Sequence, residues 1–110
     1  MNPHDLFQNV RSLWPDVILM TNDAHQKEDS AIWRVVDLYE AIERNVEHDP
    51  WLALGAWSFH QALTDVARTR INYGATTVHT SDVSFEAFGA NMRSNLADES
   101  WAEERKLYGA

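Results

Sequence analysis

A chain of 110 residues has room for one core, since dividing it would leave neither half enough interior, and a single domain spanning residues 1–110 is expected. It holds no cysteine, which excludes a disulfide framework and any thiolate-ligated metal. Nine Lys and Arg against 17 Asp and Glu give a net charge of −8, a field that repels phosphate backbones, disfavours direct nucleic-acid binding and attracts basic protein surfaces.

Asn2-Pro3 starts the first helix as an N-cap followed by proline at the first helical position, with Leu6, Val10 and Leu13 on one face and Pro15 as its stop. Residues Met1 to Leu13 lack the cationic start and apolar core of a secretory signal, so a cytoplasmic location is the default expectation. Val17-Ile18-Leu19-Met20 is a short apolar run, closed by Thr21-Asn22-Asp23, that periodicity cannot assign to strand or helix. A polar loop is expected from Asn22 to Asp29.

Ser30 to about His48 carries the clearest helical period. Ile32, Val35, Val36, Leu38, Tyr39, Ile42 and Val46 share one apolar arc, while Arg34, Asp37, Glu40, Arg44 and Glu47 lie outside it. Asp49-Pro50 repeats the cap-then-proline signal and opens a second long helix to about Tyr73, closed by Gly74. Its core stripe is Leu52, Ala56, Phe59, Leu63 and Val66. Leu54 and Trp57 on other sides mark it as a central helix contacted from several directions. Pro50 to Thr64 is the longest stretch without Asp, Glu, Lys or Arg, yet it is too short to cross a bilayer.

Ala75 to Thr80 is rich in β-branched residues and reads as extended, with Val17–Met20 as a candidate partner in a two-stranded ribbon. Ser81-Asp82 then caps a helix striped by Phe85, Phe88, Met92 and Leu96. Ser100-Trp101-Ala102-Glu103 is a capping box for a short terminal helix reaching Tyr108. The expected fold is mainly α, a compact cluster of four to five helices with a minor two-stranded β ribbon.

Chemical motifs are sparse. Four scattered glycines exclude phosphate-cradling loops, and five histidines never fall three or four apart, so neither a cofactor nor a metal site is expected. His60 lies at the edge of the apolar stripe of the central helix, where a buried imidazole satisfied by one carboxylate or carbonyl outweighs a general base. Glu43 projects into the apolar arc of its helix, where an ionised carboxylate needs a partner such as Arg68, Arg70 or His60. His79, Thr80, Ser81 and Asp82 contain the residue types of a hydrolase triad, but triad groups converge from separate segments rather than from neighbours. Arg68 and Arg70 read as ion-pair partners rather than as a phosphate clamp.

The five tryptophans are more informative. Trp33 projects among Asp37, Glu40 and Arg44, and Trp57 projects beside Gln61 and Arg68. A large apolar ring in a charged rim has the make-up of a protein-interface hot spot. The expected function is therefore a non-catalytic interaction protein that occupies a basic surface of a partner, or self-associates, through Trp33, Asp37, Glu40, Arg44, Glu47 and Trp57. Inhibitors that cover nucleic-acid-binding surfaces, such as anti-restriction, anti-CRISPR and immunity proteins, share this shape and charge, though the analogy rests on no particular residue. Two alternatives remain. One is a small helical enzyme or ligand-binding domain with a pocket between the long helices at His60 and Glu43, with His79 as a further candidate. The other is a structural subunit of an oligomer.

Overall fold

A computed structural model describes residues 3–19, 38–44, 49–75 and 77–98, and it is mainly α. Helix α1 spans Pro3–Arg11, β1 Val17–Leu19, α2 Pro50–Asn72, β2 Thr77–His79 and α3 Phe85–Leu96. Residues 38–44 are also helical. Most of the long helix expected from Ser30 to His48, with Trp33, Asp37 and Glu47, lies outside the described residues, as does the terminal helix of residues 100–108.

The central helix begins and ends as its sequence dictates. Asp49 Oδ1 accepts the Leu52 N–H at 3.1 Å, satisfying one of the amides that the first turn leaves open. At the other end Gly74 takes φ +83°, and the Ala75 N–H reaches back to the Arg70 carbonyl at 2.9 Å. That is a Schellman closure, which needs a residue that tolerates left-handed backbone. Between these caps α2 is buried on several sides: Leu54, Ala56, Phe59, Ala62, Leu63 and Ala67 are all in the core.

Helix α1 lies against α2 through Leu6 and Val10, and Gly55 makes that approach possible. A Cβ at Gly55 would stand 2.9 Å from Val10 Cγ2 and 3.1 Å from Leu6 Cδ1. Phe7 joins three elements, its ring centroid lying 6.0 Å from Phe59 of α2 and 5.2 Å from Phe88 of α3. Leu13 is exposed rather than on the inner face, because α1 ends at Arg11 and the turn that follows swings Trp14 inward. Trp14 packs on Phe59 at 4.8 Å.

The ribbon forms as expected: β1 and β2 pair antiparallel, with Val17 opposite His79, Ile18 opposite Val78 and Leu19 opposite Thr77. Ile18 and Val78 are both buried, so one face of this short ribbon rests on the helices, which offsets its small size. The Thr80 N–H donates to the Asp16 carbonyl at 3.0 Å and starts a 3-10 turn over Thr80–Asp82. The cap of α3 is consequently Ser84 rather than Ser81-Asp82. Ser84 Oγ accepts the Ala87 N–H at 3.0 Å.

Helix α3 meets α2 partly through polar groups. Ser58, fully buried, donates its hydroxyl to the Leu54 carbonyl at 3.0 Å. Asn95 Nδ2 donates to Ser58 Oγ and to Gln61 Oε1, each at 2.9 Å. Asn91 Nδ2 donates to the Ser58 carbonyl at 3.2 Å. Phe88, Met92 and Asn95 thus face inward, while Phe85 is 40% exposed and Leu96 half-buried.

Candidate interaction surface

On α2, Trp57 and His60 project about one turn apart and meet Tyr39 from the helical segment 38–44. Tyr39 stacks on the His60 ring at 4.8 Å and 28°, and meets Trp57 edge-on at 5.1 Å. Trp57 and His60 are 5.1 Å apart. Tyr39 and Trp57 are both half-buried, so this three-ring cluster keeps an outer edge in solvent. Glu40, Glu43 and Arg44 beside Tyr39 are exposed, which puts a charged rim next to the rings.

His60 is 7% exposed. Its Nδ1 is buried and has no hydrogen-bond partner among the described residues, so the single carboxylate or carbonyl expected for this imidazole is not met at that nitrogen. Burial among two aromatic rings disfavours the charged form, and the pKa falls to about 4. Tyr39 moves the other way, to about 12, through burial first and the neighbouring Glu43 carboxylate second. Both rings are therefore neutral over the physiological range.

Glu43 does not enter the core. The segment 38–44 buries Ile42 and half-buries Leu38 and Tyr39, and this leaves Glu43 on the solvent side. There water solvates the carboxylate, so no ion partner is required. Arg70, one of the partners proposed for it, pairs instead with Asp82 Oδ1 at 3.1 Å. Asp82 Oδ2 also accepts the His79 N–H at 3.0 Å. That carboxylate ties the ribbon to the end of α2.

Below the rings, His60, Gln61, Thr64, Asp65, Arg68 and Asn91 line a shallow polar concavity of about 270 Å³. His79 stands exposed on β2, and neither it nor Glu43 is among these described lining residues. Among the described residues no group of three His, Asp or Glu side chains could hold a metal ion, and no helix is long and apolar enough to cross a membrane. An imidazole of pKa about 4 is also a weak base at neutral pH, poorly matched to proton abstraction.

Of the residues singled out in the sequence, the structure brings Trp57 and His60 together and sets Glu40, Glu43 and Arg44 at their edge. Trp33, Asp37 and Glu47 lie outside the described residues. Sequence reasoning missed Tyr39, counted there only as a member of the apolar arc. Its aromatic, hydroxyl-bearing side chain on a helix with charged neighbours was the available signal. Comparisons with known protein families, with curated proteins and with solved structures found no match.

Proposed function

We propose that this chain is a non-catalytic protein-binding domain that docks on a basic surface of a partner protein. The contact is made through the Tyr39–Trp57–His60 cluster and the acidic side chains beside it. The observation that carries this reading is the half-buried trio of rings bordered by exposed Glu40 and Glu43. Aromatic anchors inside a polar rim are where binding energy concentrates in protein interfaces. The net charge of −8 speeds encounter with a cationic surface and penalises an anionic one. One form of this activity is inhibition of a partner whose basic surface binds nucleic acid.

Affinity capture from the native host with three baits tests the proposal: the parent chain, Trp57→Ala, and Glu40→Gln combined with Glu43→Gln. The expected result is a basic protein retained by the parent, lost with Trp57→Ala at a cost of about 2 kcal/mol or more, and captured more slowly by the double glutamine variant at low salt. A partner retained equally by all three baits would remove this surface from the interaction. Thermal melts of Trp57→Ala establish that its loss of binding is not a loss of fold.

A further inference from the structure

A second surface lies on α3, lined by residues other than the aromatic cluster. The stripe Phe85, Phe88, Met92 and Leu96 is only partly consumed by packing on α2, because Phe88 and Asn95 take the inner positions, while Met92, 6% exposed, lies between that packing and the surface. What remains is an apolar groove of about 400 Å³ floored by Trp51, Phe85, Met92 and Leu96, with Glu86 and Arg93 also lining it.

Three observations indicate what fits there. Phe85, Gly89, Met92 and Leu96 are spaced four, three and four residues apart, the period of a helix–helix seam. Glu86 and Arg93 lie seven residues apart, two turns along the same edge of that seam. Gly89 is the third. Unlike Gly55, whose missing Cβ is explained by α1, Gly89 has space for a side chain. A Cβ there would meet only Arg93 Nη1, at 3.4 Å, among the described residues. A glycine in mid-helix costs about 1 kcal/mol relative to alanine, and no contact among the described residues requires it. A helix approaching from outside would.

We propose that this groove is a self-association surface, on which α3 of a second copy lies antiparallel about a two-fold axis near Gly89 and Met92. That arrangement sets Phe85 against the partner's Leu96 and Gly89 against the partner's Met92. It brings Glu86 beside the partner's Arg93, and the symmetry repeats each contact. A parallel pair would leave each charge about 10 Å along the axis from its complement. The net charge of −8 on each copy opposes association, so the dimer is weak and forms as concentration rises.

Sedimentation equilibrium on the whole chain over a wide concentration range is the test, with Glu86→Arg, Arg93→Glu and the double reversal alongside the parent. Dimerisation of the parent is expected, weakened about tenfold or more by either single reversal and recovered by the double one. Glu86→Arg is the sharpest arm. It moves the net charge toward zero and would tighten a non-specific association, whereas the paired geometry requires it to weaken. A parent chain that stays monomeric, with a Kd above about 1 mM, overturns the proposal and leaves the groove to another segment of the chain or to a different protein. A dimer indifferent to the reversals, or tightened by Glu86→Arg, overturns it equally. Circular dichroism verifies the fold of each variant, and Glu86→Gln and Arg93→Gln replace any reversal that fails to fold, each then expected to weaken the dimer.

Discussion

His60 ionises near pH 4 in the folded chain and near 6.5 in an unfolded one, because folding places it between Tyr39 and Trp57 with its Nδ1 away from water. The unfolded state therefore binds the extra proton first. The folded pKa is the lower of the two, so the stability from a neutral His60 is complete above about pH 6.5 and falls as the pH drops toward 4. The expected loss is on the order of 2–3 kcal/mol across that window. Urea melts between pH 7 and pH 4 on the parent and on His60→Phe isolate it from the carboxylates, whose contribution both proteins share. The variant should show the flatter profile, and equal slopes would mean that His60 is not buried in its neutral form. Periodicity placed this residue at the margin of the apolar stripe of α2. It could not reveal that aromatic rings would cover it, because Tyr39 and His60 are separated in sequence and meet only when segment 38–44 packs on α2.

Helices α2 and α3 are held in register by polar groups that a reading of apolar stripes passes over. Ser58 and Asn95 look like surface residues in sequence, yet Ser58 is fully buried and Asn95 is 8% exposed. Each hydrogen bond of Asn95, to Ser58 and to Gln61, has a fixed direction, and a half-satisfied buried network costs more than an apolar one. Asn95→Ala should destabilise the chain by about 1–3 kcal/mol, through the cavity and the loss of the donor that Ser58 Oγ and Gln61 Oε1 accept from, the Ser58 hydroxyl keeping its own bond to the Leu54 carbonyl. Ser58→Ala in the Asn95→Ala background should then add less than Ser58→Ala does alone, which denaturant melts of the four proteins measure as a coupling energy. Strict additivity would mean that the two side chains do not interact. The caps were more legible than this seam. Asp49-Pro50 and Gly74 act locally, through backbone groups within one turn, whereas the shift of the α3 cap from Ser81 to Ser84 depends on the distant Asp16 carbonyl that holds Thr80.

The molecule as a whole follows its hydrophobic periods: amphipathic helices around a central one, with a ribbon at one side. Far-UV circular dichroism should give more than about half helix, above the third or so of an ordinary domain, and a strand-dominated spectrum would contradict the architecture. That much was legible because periodicity reports burial summed along an element. The site was less so, since a contact patch is a property of neighbouring elements. Trp57 was identified by its charged surroundings, but its companions Tyr39 and His60 were not grouped with it. The ribbon carries one more consequence, for the order of events in folding. Val17–Leu19 and Thr77–His79 are separated by about 60 residues, so their pairing must overcome a large loop-closure entropy unless α2 has already drawn the ends together. The helices can assemble early and the ribbon closes late, acting as a latch. Changes at Ile18 or Val78 should accordingly hasten unfolding while leaving the folding rate nearly unaltered.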